Sequence, residues 1–144
     1  MADSAASLEE EALNKTPLIL LTGATGYIGS HLLRRLEQQK LQVRCLARDP
    51  EKLQSEVSSS TEVVKGDVLN RPSLDAALTG VTTAFYLVHL MASSADFEKQ
   101  DRQAAESFGA AAKQAGVKRI VYMGGLGKES DPKLSPHLRS RHEV

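Results

Sequence analysis

The sequence predicts an α/β fold, a doubly wound parallel sheet with the strand order 3-2-1-4-5. The first observation is that five apolar, strand-like runs alternate with segments of helical pattern: 18–22, 41–47, 62–65, 81–89 and 117–123. Strands separated by helices form right-handed, parallel βαβ units with helices on both faces of the sheet. The second observation is that the first run is apolar up to Thr22, as expected for a central strand buried on both faces.

The helices are predicted from apolar spacing and from their end residues. The first begins at Ile28, and its apolar face is expected to hold Ile28, Leu32, Leu33 and Leu36. A short helix or turn opens at Pro50. Another helix covers 74–78.

The later part of the chain continues the pattern. A long helix that Ser93 or Ser94 caps is expected to run to about residue 115 and to stop at Gly116. After the fifth strand, a loop over 124–136 leads into the start of another helix at 136–144.

Length limits the domain organisation. The 144 residues suit one domain with a sizeable core. We place this domain at 17–144, after a flexible or loosely helical tail at 1–16. Because the sequence shows no sixth strand and no substrate-binding lobe, we expect the chain to be a truncated piece of a longer protein.

Composition narrows the classes of function. Lys plus Arg and Asp plus Glu both number 18, so nothing indicates a nucleic-acid-binding surface. No apolar run approaches the roughly 20 residues of a membrane span, and the acidic start is not an ordinary signal peptide. The single cysteine, Cys45, lies in an apolar run, and we expect it to be buried in a cytoplasmic protein. No His, Cys or carboxylate cluster has the spacing of a metal site.

The segment between strand one and helix one reads Thr22-Gly23-Ala24-Thr25-Gly26-Tyr27-Ile28-Gly29. A Cβ at its three glycines would block the tight turn, the approach of a ligand or helix–strand packing, and free N–H groups at the helix N-terminus suit phosphates. The segment therefore predicts the dinucleotide site of a Rossmann fold. The residues expected at the cofactor are Gly23, Thr25, Gly26, Tyr27, Ile28 and Gly29.

Four further segments follow along the chain: Cys45-Leu46-Ala47-Arg48-Asp49-Pro50, Gly66-Asp67-Val68, Tyr86-Leu87-Val88-His89 and Arg119-Ile120-Val121-Tyr122-Met123-Gly124-Gly125-Leu126. With the glycine segment they resemble the extended and atypical short-chain dehydrogenase/reductases, and most closely the NmrA-like, epimerase-like NAD(P)-binding proteins. The resemblance covers nearly all of 18–144. It implies a Rossmann fold that binds NAD or NADP, with hydride transfer, epimerisation or dehydration as its chemistry where there is any.

The residues after strand two bear on the choice between NADP and NAD. An NAD site usually has an acid there for the ribose hydroxyls, whereas the 2′-phosphate of NADP needs a cation. Arg48 resembles the NADP-binding members, and a guanidinium holds phosphate in bidentate fashion. Asp49 lies about 20 residues beyond the loop, near the place of the ribose-binding acid, but before Pro50 it also fits a helix cap. We therefore expect NADP, with NAD as the alternative.

The resemblance implies further cofactor contacts. Asp67 would accept a hydrogen bond from the adenine amino group, and the main chain of Val68 would meet the ring. A turn with a side-chain cap is the other interpretation of Asp67. Leu87, Val88 and His89 would pass under the adenosine ribose and the diphosphate, although a lone histidine at a strand end also fits a packing role.

The catalytic residues are not defined by the sequence. Active short-chain reductases combine a Ser or Thr after strand five with Tyr-x-x-x-Lys on the next helix. Here Met123-Gly124-Gly125 and His137-Leu138-Arg139-Ser140-Arg141 stand at those places. His137 could move a proton and Arg141 could hold phosphate or ribose, but a solvated helix face explains them as well.

Two functions are consistent with these features. The first is an NADP(H)-dependent oxidoreductase or epimerase-like enzyme that acts on an unknown small molecule. The second is a non-catalytic redox sensor or scaffold that binds NADP(H) and reports it to a protein partner. The missing Ser, Tyr and Lys favour the second.

Overall fold

The computed structural model describes residues 16–90 and 96–125, and beyond them residues 130, 132, 133, 135, 136, 138 and 141. The described residues form five strands: β1 (Leu18–Thr22), β2 (Gln42–Ala47), β3 (Glu62–Lys65), β4 (Val81–Tyr86) and β5 (Arg119–Tyr122). They also form four helices: α1 (Tyr27–Gln38), α2 (Pro50–Gln54), α3 (Arg71–Leu78) and α4 (Phe97–Gln114). The predicted tail and the predicted helix at 136–144 lie almost wholly outside the described residues, as do Ser93 and Ser94.

The strands form one sheet in the order β3-β2-β1-β4-β5. All four ladders are parallel, so the predicted doubly wound topology is confirmed. From β1 the chain winds outward to β3, then crosses the sheet to β4 on the other side of β1. The topological switch point therefore lies between β1 and β4, where open parallel sheets bind their ligands beyond the carboxyl ends of the strands.

Two helices cover each face of the sheet. On one face α1 and α2 bury Leu33, Leu36 and Leu53 against Leu21 and Cys45. On the other face α3 and α4 pack their apolar side chains against the sheet, and this cluster includes Leu74, Leu78, Ala104, Phe108, Leu20 and Ala84. No helix in the described residues has the length and apolar character of a membrane span.

Strand β4 is shorter than its apolar run predicts. The expected strand covered 81–89, whereas β4 ends at Tyr86, and its last pairing with β1 joins Phe85 to Leu21. The reason is that the neighbouring strand ends first, since β1 turns away at Gly23 with a positive φ of 73°. Residues 87–90, which are apolar except for His89, lie beyond the ladder.

Helix α1 also differs from the expectation in its first turn. Ile28 has the spacing of the buried face, yet 44% of its surface is exposed, and the buried residues are Gly29, Leu33 and Leu36. The first turn lies beyond the carboxyl end of β1, so the sheet does not cover Ile28. The other helices start at slightly different places than predicted: α3 begins at Arg71 after the N-cap Asn70, and α4 begins at Phe97 after the N-cap Asp96.

An arginine inside the sheet ties β2 to β3 and to the end of α3. The guanidinium of Arg44 donates from Nε to Glu62 at 2.7 Å and from Nη1 to the carbonyl oxygens of Ala77 and Thr79 at 2.7 and 2.8 Å. Carbonyls in the last turn of a helix lack partners within the helix, and a cation there is favourable. Arg44 therefore acts as a structural C-terminal cap, which its position in an apolar run did not predict.

Replacing Arg44 with Met should lower the free energy of unfolding by about 2 kcal/mol, because charged hydrogen bonds are lost and the carbonyls of α3 are left without a donor. Urea denaturation followed by circular dichroism measures the change. The exposed Arg34 provides the matched control, and Arg34→Met should change the free energy by less than about 0.5 kcal/mol. Equal stability of the two variants would show that Arg44 has no such structural role.

The single cysteine is fully buried, as predicted, with none of its surface exposed. Burial, together with the smaller effect of the Glu37 charge, raises the pKa of the Cys45 thiol to about 12. Because the thiolate is the nucleophilic form, and almost none of Cys45 is thiolate at neutral pH, Cys45 is unreactive in the folded protein.

Cys45 should therefore react with a thiol-specific reagent only when the protein unfolds. At pH 8 the native protein should be labelled at least about a hundredfold more slowly than the same protein in denaturant, since both access and ionisation are restricted. Stopped-flow absorbance with an aromatic disulfide reagent measures both rates. Similar rates in the two states would contradict the buried position of Cys45.

Candidate functional site

A cleft of about 650 Å³ opens beyond the carboxyl ends of β1 to β4. Its walls are the glycine segment, the start of α2, the turn after β3 and residues 87–90. Nine of the residues predicted at the cofactor line it: Gly23, Thr25, Gly26, Arg48, Asp67, Val68, Leu87, Val88 and His89. Segments far apart in the chain therefore meet around one cavity, in the size range of small-molecule and cofactor sites.

The glycines of the loop have different structural roles. Gly23 adopts φ of 73°, and a Cβ there would lie 2.9 Å from the carbonyl oxygen of Leu87. A Cβ on Gly29 would overlap the main chain of Gly23, so this glycine allows α1 to pack onto the loop. Gly26 has φ of −75°, and the nearest atom to a Cβ on it is the oxygen of Gly23 at 3.4 Å. Its missing side chain leaves room in the cleft.

The N-terminus of α1 is open to an anion. Gly26 is the N-cap, no side chain caps the helix, and the first turn contains no acidic residue. The first N–H groups of a helix have no acceptor within the helix and carry partial positive charge. Tyr27, Ile28 and Gly29 do not line the cleft, and Tyr27 is 81% exposed. Their predicted contact with the cofactor would have to come from these N–H groups.

Two cations stand at the end of β2. Arg48 lines the cleft. Lys52 on α2 also lines it, although the sequence did not predict Lys52 as a site residue. The available signal was the place of Lys52 in the first turn of the helix that directly follows β2, since the carboxyl ends of parallel strands border the ligand site. Asp49 occupies the N-cap of α2 but makes no capping hydrogen bond. Its carboxylate instead lies 3.3 Å from the ammonium of Lys52.

The turn after β3 is held by Asp67 and Ser73. The Oδ1 atom of Asp67 accepts the N–H of Leu69 at 2.9 Å, and the main chain of Asp67 exchanges hydrogen bonds with the Ser73 hydroxyl at 3.0 Å. This is the side-chain-capped turn that was the alternative interpretation, and it engages one carboxylate oxygen. The contact with adenine stays a prediction. Val68 is buried, while Leu69 is 47% exposed beside the cleft.

Residues 87–90 form the opposite wall, and the Thr22 hydroxyl joins this wall to β1. The hydroxyl is buried, donates to the carbonyl of Phe85 at 3.0 Å and accepts the N–H of Leu87 at 3.1 Å. The ends of β1 and β4 are thus held together where the cleft begins.

The buried carboxylate of Asp101 lies behind this wall. Nδ1 of His89 is 3.7 Å from the carboxylate of Asp101 on α4, and the His89 ring lies 5.9 Å from the ring of Tyr122. Burial raises the pKa of Tyr86, with Asp101 and Tyr122 adding to the shift. Burial also raises the pKa of Tyr122, although Arg141 opposes this. Both tyrosines therefore stay protonated at neutral pH, and the predicted contact of His89 with the cofactor stays a prediction.

Of the two catalytic candidates, the structure describes only Arg141. His137 lies outside the described residues. Arg141 does not line the cleft, and its carbonyl oxygen accepts a hydrogen bond from the Tyr122 hydroxyl at 3.0 Å. Among the described residues, no group of three or more His, Cys, Asp or Glu side chains could hold a metal ion.

Known proteins resemble this chain in sequence and in structure. The profile of a family described as NAD(P)H-binding matches residues 23–142. An NAD(P)H azoreductase of Xenophilus azovorans is 35% identical over 114 residues, which cover 79% of this chain and 37% of the azoreductase. The triphenylmethane reductase of Citrobacter sp., solved with NADP(H), superposes with a TM-score of 0.73 at 26% identity, over 87% of this chain and 42% of the reductase.

A third likeness is to the NADPH-dependent quinone oxidoreductase of Escherichia coli, solved with NADPH. Its TM-score is 0.70 at 27% identity, over 87% of this chain and 42% of the oxidoreductase. This chain thus spans roughly two fifths of the length of these proteins. The family match extends over most of the chain, and the fold and cleft agree with it. The chain belongs to the NAD(P)H-binding family, which agrees with the resemblance of its sequence to the NmrA-like and epimerase-like short-chain dehydrogenase/reductases.

Proposed function

We propose that this chain is the cofactor-binding part of an NADP(H)-dependent oxidoreductase and that NADP(H) binds in the cleft at the switch point. One observation carries the proposal. A single cavity brings together the glycine loop, the cations Arg48 and Lys52, the Asp67 turn and the wall at 87–90. These are the chemical groups that a dinucleotide with a 2′-phosphate requires.

The residues fit the cofactor part by part. The uncapped N-terminus of α1 and the space beside Gly26 suit the diphosphate. Arg48 and Lys52 suit the 2′-phosphate, with the guanidinium as the bidentate partner. Asp67 and the exposed side chain of Leu69 suit the adenine. When bound, NADP(H) would supply a hydride from its nicotinamide ring, and residues of this chain would bind and orient it.

The relatives point to a class of hydride acceptor. The names of the proteins above refer to azo compounds, triphenylmethane dyes and quinones, which are all conjugated. We propose a conjugated organic molecule of this kind as the substrate. The sensor or scaffold remains as the other function, because a Ser or Thr directly after β5 and a Tyr-x-x-x-Lys motif beyond it are absent from the sequence. Oxidation of NADPH with a quinone and azo-dye panel separates the two, since a sensor binds NADPH without turnover.

We also propose a cytoplasmic location for the protein. Cys45 is a buried cysteine without a disulfide, and such cysteines are typical of proteins in a reducing compartment. Cell fractionation with an antibody against the chain tests this location.

Replacing Gly26 with Ala should weaken NADPH binding strongly and leave the fold intact. Alanine readily adopts the φ of −75° found at this residue, and its Cβ would meet only the Gly23 oxygen at 3.4 Å, while it would fill space where the diphosphate is expected. Quenching of NADPH fluorescence on titration should show affinity weakened about a hundredfold, or about 2.7 kcal/mol. Thermal denaturation without ligand should show little change.

The matched control is Gly109→Ala. Gly109 lies inside α4, away from the cleft lining, and nothing lies within 4 Å of a Cβ there. This variant should bind NADPH as the wild type does and should gain stability, because alanine favours a helix over glycine by about 1 kcal/mol. If Gly26→Ala and Gly109→Ala bind equally well, the cofactor does not lie against the loop.

Replacing Arg48 with Ala should weaken NADPH binding at least about tenfold, since a charged hydrogen bond to the 2′-phosphate is lost. NADH binding should change less than about twofold, because NADH has no phosphate at that position. Isothermal titration of both cofactors against the wild type and the variant gives the two ratios, with Arg34→Ala as a control for charge. Unchanged NADPH affinity would refute the role of Arg48.

A further inference from the structure

Asp101 is the only charged side chain that the described residues bury, with 2% of its surface exposed. It lies in the second turn of α4, on the face that carries Ala104 and Phe108 against the sheet. Its sequence spacing is that of an apolar stripe. A buried carboxylate is unfavourable unless hydrogen bonds and opposite charges compensate it, so its partners indicate why a carboxylate stands there.

Two contacts of Asp101 lead to the wall of the cleft. Its Oδ1 atom accepts the N–H of Leu90 at 3.1 Å, and its Oδ2 atom lies 3.7 Å from Nδ1 of His89. His89 and Leu90 line the cleft, whereas Asp101 itself does not. The carboxylate thus contacts the residues that face the ligand site without reaching the site.

The wall is fixed at its two ends by side chains. The Thr22 hydroxyl accepts the N–H of Leu87 at one end, and Asp101 accepts the N–H of Leu90 at the other. Between them the wall runs past the glycine loop, close enough that a Cβ on Gly23 would lie 2.9 Å from the Leu87 oxygen. Because both the loop and the wall line the cleft, a shift of the wall would change the shape of the ligand site.

We propose that Asp101 is a positioning residue for dinucleotide binding. It holds the wall at 87–90 to α4, so that His89 and Leu90 stand where the cofactor requires them. The inference rests on the proposed binding of NADP(H) in this cleft. It adds a residue that touches neither the cofactor nor the cleft, yet determines affinity through its hydrogen bond to Leu90.

The test compares Asp101→Ala with Asp101→Asn, and Glu106→Ala on the exposed side of α4 is the control. Alanine removes the acceptor for Leu90, whereas asparagine keeps an oxygen at that place. NADPH titration should show Asp101→Ala weakened about tenfold, the size expected for loss of a charged hydrogen bond, and Asp101→Asn restored to within about threefold of the wild type. Glu106→Ala should bind as the wild type does.

Hydrogen exchange of the Leu90 amide provides the readout of position. Without ligand, this amide should exchange faster in Asp101→Ala and stay protected in Asp101→Asn, while amides of β1 are unchanged in both. If Asp101→Ala does not fold, Asp101→Asn decides the question: fast exchange at Leu90 together with wild-type NADPH affinity in this variant would overturn the proposal.

The two proposals fail in different ways. If the wild type binds NADPH and a folded Asp101→Ala binds it equally well, the positioning role of Asp101 is wrong and the cofactor site stands. If the wild type binds no dinucleotide, the proposed function is wrong, and the inference about Asp101 falls with it.

Discussion

The cleft and the packing of α1 depend on the loop at 23–29, in which main chain packs directly on main chain. At Gly23 the chain leaves β1 in a left-handed conformation, and α1 returns so closely that Gly29 has no room for a Cβ. The carbonyl of Leu87 closes the other side. Gly29 allows α1 to pack on the loop, whereas Gly26, three residues earlier, leaves space in the cleft. One short loop therefore meets the packing requirement and the ligand requirement with different glycines.

The fold could be predicted from the sequence because its strongest signals are local. Apolar runs bounded by glycine and proline, alternating with helical spacing, leave few topologies for a parallel sheet. The predictions for the end of β4 and for Ile28 were wrong because contacts with neighbouring elements, and not the polarity of the residues, decide the structure there. Leu87 and Val88 are as apolar as strand residues, but β1 has no residues left to pair with them. Ile28 has helical spacing, but the sheet does not cover it.

The candidate site was predictable where it follows strand ends, and not where distant side chains meet. Arg48, Asp67 and Leu87 stand directly after strands, so the parallel topology alone brings them to one edge. Thr22 and Asp101 were missed as parts of the site, because their roles depend on partners in another element. The Thr22 partners lie 63 and 65 residues away. The role of the Asp101 carboxylate can be recognised only from its hydrogen bond to Leu90, because its position in the helix has the spacing of a buried apolar residue.

The cleft has a further consequence, because its lining comes from the segments after four different strands. These segments meet only when the sheet has formed, so a ligand that needs all of them binds the folded chain and not the unfolded one. At a hundred times its dissociation constant such a ligand adds about 2.7 kcal/mol to the free energy of unfolding. The cellular concentration of the dinucleotide would then contribute to the free energy of unfolding of this protein. A substitution that destabilises the core would cause unfolding only when that concentration fell.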